Sequence, residues 1–414
     1  MKKNLIISIL LICSFLSNSQ TKSQLDFDKF AKEQDAIMMK AYDAKDTKIY
    51  LKTIDYFTKK YNELSTEDQN MFKGYYANFY YNLCCTYSLL NDKKNALLFL
   101  EKAINYGEKN FKHIQVDSDL DNLRNEEKYK TIVKQLKDTY DYLSILKRGE
   151  KYNLLENRDL SKFTYQSENN PNLIELRQKY KLDSVAGKGN EVSKIINLMH
   201  FVHYLVPHNG SAGLSSEKKN AISMISACKN EKKEVNCRGM AMILNDCYLS
   251  LGIKSRYVSC IPKDSLGIDA DTHVINMVYS NQLKKWLWID PTFNAYVMNE
   301  KGDLLSIEEV RERLINDKTL ILNPDANHNR KESQNKEYLL YTYMAKNLYI
   351  LECPLSSEYD YETINEGKEI KFLRLIPIDY FKKSLDEDIF YDEKTKVKRI
   401  KYKTNNSEIF WQKP

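Results

Sequence analysis

The stretch "DTHVINMVYSNQLKKWLWIDP", residues 271–291, decides how this chain is read. Two runs with period-two alternation flank the short polar turn "SNQL" at 280–283. Alternation at period two is the signature of a half-buried strand, and two such runs around a short turn predict a hairpin. Pro291 stops the second strand. A turn centred between Asn281 and Gln282 sets His273 directly opposite Asp290. Opposed residues share a face, with β-carbons about 5 Å apart, close enough for an imidazole and a carboxylate to hydrogen-bond. A bulge or a one-residue slip would break that pairing.

Upstream lies "EVNCRGMAMILNDCYLSLG", residues 234–252. Met240, Leu244, Cys247, Tyr248 and Leu251 form an apolar helical stripe, with Asn236 as the expected cap. Gly252 ends the helix in a left-handed C-terminal cap. Cys237 therefore opens the helix, where unpaired backbone N–H groups and the helix dipole stabilise a thiolate and can bind a developing oxyanion. "KSRYVSCI", residues 254–261, follows as a further strand. A helix that packs across the hairpin lines up thiol, imidazole and carboxylate as nucleophile, base and orienting group.

In this order the residues resemble the transglutaminase-like superfamily. The resemblance covers residues 190–300, with weaker similarity to 330, and rests on "NCRGMA", "THVINMV" and "WLWIDP". It implies a papain-like α+β core that attacks an amide carbonyl through a Cys thioester. It also implies Cys237 as nucleophile, His273 as general acid/base and Asp290 as orienting carboxylate. Arg238 and Gly239 depart from the commoner Cys-Gly order of that family. Trp286 and Trp288, on the Asp290 face of the strand, read as core side chains or as candidate walls of a substrate cleft, and His208 is a candidate substrate contact. His200, His203 and His208 lie close together in sequence, but no acidic or thiol partner stands at ligand spacing. No metal and no cofactor is expected.

The 414-residue chain has room for several domains. Its first residues, "MKKNLIISILLICSFLSNSQ", read as a signal peptide over 1–19, with lysines, an apolar stretch and small residues at Ser17 and Ser19. The protein is thus expected to be exported, periplasmic or secreted, with no integral membrane segment after cleavage. Loss of Lys2 and Lys3 lowers the formal charge from +6 to +4, too mild to imply nucleic acid. Seven cysteines then remain, an odd number that leaves at least one thiol unpaired or intermolecular.

Residues 25–150 carry helical periodicity almost without Gly or Pro. Within them "YYNLCCTYSLLNDKKNALLFLEKAINYG", 80–107, resembles a tetratricopeptide repeat, with Leu83, Cys84, Ala96, Leu100 and Ala103 at its packing positions. Residues 117–136 read as a terminal cap with Leu120, Leu123, Tyr129, Ile132, Val133 and Leu136 turned inward. A charged stretch at 148–172 marks a boundary, and "EIKFLRLIPI", 369–378, begins strand-like patterning near the end. The expected organisation is a helical tetratricopeptide-like domain over 25–150, a transglutaminase-like domain over 165–330 and a small β-rich region over 335–414. The class is α+β. The expected function is thiol-dependent amide chemistry on a peptide or protein, hydrolysis rather than cross-linking, with a possible protein partner for the helical module. The rival reading is a non-catalytic binding protein that uses the helical module beside an inactive papain-like scaffold.

Overall fold

The structure is a computed structural model and describes residues 21–149, 152, 160, 162–263, 271–377 and 387–414. The expected signal peptide, and part of the expected boundary at 148–172, lie outside the described residues. The chain divides into two compact units, Met1–Lys137 and Asp138–Pro414.

The first unit is helical throughout its described residues. Its helices are α1 (Lys22–Asp43), α2 (Thr47–Tyr61), α3 (Thr66–Phe72), α4 (Gly74–Leu89), α5 (Lys93–Asn105), α6 (Phe111–Val116) and most of α7 (Glu127–Tyr140). Polar residues set the starts: Thr21 and Gln24 form a capping box on α1, and Asp46 and Asp92 cap α2 and α5. Helices α4 and α5 are the pair expected from residues 80–107. Leu83, Cys84, Ala96, Leu100 and Ala103 are fully buried between helices of this unit. The small alanines let backbones come close. All six inward residues expected of the 117–136 segment are buried as well.

The second unit mixes helices and sheet, so the protein is α+β. Its main strands are β1 (Ser255–Ile261), β2 (His273–Ser280), β3 (Lys285–Ile289), β4 (Ile350–Pro354), β5 (Glu369–Leu375), β6 (Asp388–Asp392) and β7 (Val397–Thr404). They form one sheet in the order β6-β7-β5-β4-β1-β2-β3, antiparallel except where β5 runs parallel to β7. The strands of residues 350–404 thus continue the sheet begun at 255–289.

Helices α8 (Tyr142–Arg148), α9 (Pro171–Lys179), α10 (Leu182–Ala186), α11 (Glu191–Leu205), α12 (Ala221–Glu231), α13 (Cys237–Ser250) and α14 (Ile307–Ile315) complete the unit's main elements. Period-two alternation assigns the strand residues to two cores. Tyr257, Val274, Val278, Leu287 and Ile289 pack with α11, α12 and α13. Val258, Cys260, Ile275, Met277, Trp286 and Trp288 pack on the other face, with α14 and the segment 339–351. Asn276 ties the hairpin to α13 by donating to the Ala241 carbonyl at 2.9 Å. Among the described residues no helix is long and apolar enough to cross a membrane.

The β2–β3 hairpin differs from expectation by one turn residue. Ser280 pairs with Lys285 and Asn276 with Ile289. The turn is therefore centred between Gln282 and Leu283, with Lys284 in the left-handed region at φ 54°. Continued to Asp290, this register sets it opposite Ile275 rather than His273. A shift of two preserves parity, so His273 and Asp290 still share a face.

Candidate active site

Cys237 is the first residue of α13. Asn236 caps the helix by accepting from the Gly239 N–H at 3.0 Å, as its sequence position suggests. That bond leaves the Cys237 and Arg238 amides without intrahelical partners. The helix is closed by Gly252 at φ 73°. Gly239 is needed for a close approach, because a β-carbon there would stand 3.0 Å from Val235 Cβ. The Arg238 side chain turns away from the thiol. It pairs with Glu362, donates to Ser259 Oγ at 2.9 Å, and lies 5.3 Å from the centre of the Tyr257 ring. Tyr257 in turn donates to Glu362 at 2.6 Å. Arg238 therefore anchors the helix start to β1 and to the 358–368 loop.

The described cysteines are all free thiols. Cys237 alone among them is partly exposed; the other six are buried. Burial pushes the thiols of Cys84, Cys85, Cys228, Cys247, Cys260 and Cys353 up, which keeps them protonated.

His273 opens β2 and Asp290 follows β3. Both are only 1% exposed, and His273 Nε2 lies 2.8 Å from Asp290 Oδ2. The carboxylate is fixed from behind: Asp290 Oδ1 accepts from the amides of Thr292 at 2.9 Å and Phe293 at 3.3 Å. Asp290 and Ala295 also exchange two backbone bonds that close the turn. Cys237 lies close enough to His273 to raise the pKa of its imidazole. Burial by itself drives the imidazole's pKa down. The charge of Asp290, its hydrogen bond and the Cys237 contact outweigh burial and lift it to about 10. The ring is walled by Phe293 and Tyr343, each with its ring centre 5.3 Å away. Tyr343 lies in a π-helical turn, Leu339–Met344, a geometry that often marks functional sites. Cys237 and His273 each begin their element, so they meet at the end of the sheet. The body of α13 packs on the opposite face from His273 and Asp290.

Of the two readings of Trp286 and Trp288, the structure shows core side chains, 5% and 2% exposed, rather than cleft walls. The Trp286 indole N–H donates to the Trp411 carbonyl at 3.1 Å. Both rings fill the core beneath the site, because that sheet face is covered by later parts of the chain.

His208 does lie beside the site. A parallel bridge joins it to Val235, two residues before Cys237. Its backbone is clamped by Asn329, and its Nδ1 lies 2.9 Å from His328 Nε2. Its Nε2 is buried without a partner among the described residues. Burial first, and then the neighbouring His328 and His273, hold its pKa down to about 4, so the ring is neutral. His200 and His203 point elsewhere, toward the Asp290 turn: His200 Nδ1 is 2.6 Å from Asn294 Oδ1 and His203 Nδ1 is 2.9 Å from the Pro291 carbonyl.

His328, Phe293 and Tyr343 are not singled out by the sequence reading. His328 lies in "NPDANHNR", which carries no periodic signal, and Tyr343 is one of 30 tyrosines.

No protein-family model matches the chain. No curated protein matches it. A solved structure named "Putative Cysteine Protease from Cytophaga hutchinsonii" is similar at 18% identity and a TM-score of 0.23, over 32% of this chain and 40% of that one. The chain thus spans less than half of that protein's length.

Proposed function

We propose that the protein is an exported thiol hydrolase of transglutaminase-like type that cleaves an amide bond in a peptide or protein. The buried His273–Asp290 pair, at 2.8 Å and with the Cys237 side chain in reach, is the observation that carries this reading. Cys237 is the nucleophile. With Nε2 committed to Asp290, Nδ1 is the His273 nitrogen left to exchange a proton with the thiol. The thiolate attacks the amide carbonyl, and a carbon–sulfur bond forms. The Cys237 N–H at the helix start receives the oxyanion. His273 passes its proton to the leaving amine as the carbon–nitrogen bond breaks, which leaves a thioester. Water then attacks the thioester, His273 takes its proton, and the acid departs as the thiol is restored. An amine in place of water would give transfer instead. Export rests on residues 1–19 alone, and the helical first unit, read as tetratricopeptide-like, is a candidate holder of a protein partner.

The test is alkylation of the full chain by iodoacetamide across pH, with modified residues located by mass spectrometry. Fast modification of Cys237 at pH 6.5, lost in Cys237→Ser, is the expected result. Equal modification of the variant sinks the assignment.

A further inference from the structure

The buried ring of His203 faces two oxygen acceptors. Nδ1 lies 2.9 Å from the Pro291 carbonyl and Nε2 2.9 Å from Asn327 Oδ1. The Asn327 amide cannot be turned to offer its NH₂ instead. Its Oδ1 accepts from the Arg330 N–H at 2.8 Å, and its Nδ2 donates to the Asp325 carbonyl at 2.9 Å. Rotation would set donor against donor and acceptor against acceptor. Each ring nitrogen of His203 thus faces an acceptor, and the ring can engage the Pro291 carbonyl only by donating from Nδ1.

The Pro291 carbonyl and the Thr292 N–H belong to one peptide plane. That N–H donates to Asp290 Oδ1, while Asp290 Oδ2 takes His273 Nε2. We infer that His203 is a positioning residue for the proposed reaction: its Nδ1, donating to the Pro291 carbonyl, fixes the 291–292 peptide, whose N–H aims the Asp290 carboxylate at His273. A donor on the carbonyl polarises the amide and strengthens the donor at its other end. The inference rests on the Cys237–His273–Asp290 reading. It extends that site by one helix, because His203 comes from α11. Around His203 stand Asp290 on the turn, Asp325 and Arg330 on the following loop, His200 on its own helix, and His208 and His328, whose rings couple to it electrostatically.

The experiment uses the full-length protein, iodoacetamide as probe, and three variants: His203→Gln, Asp290→Asn and Cys237→Ser. A glutamine amide cannot span the two acceptors that His203 meets from its two separate ring nitrogens. His203→Gln should slow Cys237 alkylation at pH 7 by about tenfold, as loss of outer-sphere partners commonly does. It should also move the alkaline limb of the profile in the same direction as Asp290→Asn. A profile that moves in Asp290→Asn and stays put in His203→Gln overturns the inference and leaves the triad reading intact. A profile unmoved in Asp290→Asn, or labelling that survives Cys237→Ser, overturns the triad reading itself. Should His203→Gln fail to fold, the wild-type protein decides: assigned histidine ¹⁵N spectra should show a proton on Nδ1 of His203, the nitrogen that faces the Pro291 carbonyl. An unprotonated Nδ1 on His203 overturns the inference.

Discussion

His273 and Asp290 meet as a diagonal pair across two antiparallel strands, Nε2 to Oδ2 at 2.8 Å, with Asp290 aligned to Ile275 by register. Strand diagonals leave β-carbons farther apart than opposed pairs, yet within reach of long side chains. The Asp290 turn makes up the difference, since the Thr292 and Phe293 amides rotate the carboxylate toward the imidazole.

Asp290→Asn tests that geometry. The asparagine oxygen can keep the Thr292 and Phe293 amides, which aims its NH₂ at His273 Nε2. The imidazole must then carry its proton on the nitrogen that faces Cys237. A roughly 10- to 1000-fold loss of amide turnover is expected, smaller than for Cys237→Ala or His273→Ala. Kinetics on any amide substrate found, and thermal melting of each variant, check it. Full activity with an unchanged melt would remove Asp290 from the mechanism.

Stability should depend on pH through two histidines of opposite sign. The folded-state pKa of His273 lies near 10, above the free value of about 6.5. Its contribution is complete below pH 6.5 and is lost as pH rises toward 10. The pKa of His208 is depressed to about 4, so its contribution is present above pH 6.5 and is lost as pH falls through 4. Denaturant unfolding at fixed ionic strength should show both flanks. His208→Gln should flatten the acid flank only.

Glu362→Gln should loosen the start of α13. It removes the charge that Arg238 and Tyr257 share in a largely buried setting. A cost of about 1–2 kcal/mol is expected, with slower Cys237 alkylation. An unchanged melt together with unchanged labelling would show that the clamp does not matter.

Gly239→Ala sets two effects against each other. Alanine favours a helix by about 1 kcal/mol over glycine. Its β-carbon would sit 3.0 Å from Val235 Cβ and 3.5 Å from Leu214 Cδ2. Val235 is held by the bridge to His208, so it yields poorly. Net destabilisation is expected in thermal melts, and a stabilised variant would show that the 235–239 contact relaxes freely.

The sequence by itself determined what local chemistry determines. Asn236 and Gly252 bracket α13 because caps depend on residues a few positions apart, and alternation assigned His273 and Asp290 to one face because parity survives a shift of two. The α+β class followed from the change of period between residues 25–150 and 254–291. Only the tertiary structure decided the rest. A turn one residue later than expected moved the register, since turn centre depends on which residue accepts a positive φ, here Lys284. Trp286 and Trp288 became core because the segments that cover their face, α14 and the stretch around 339–351, are distant in sequence. His203, His328, Phe293 and Tyr343 reach the site from separate elements, and no local pattern marks a residue whose partner lies 88 or 124 positions away, as His203's partners do.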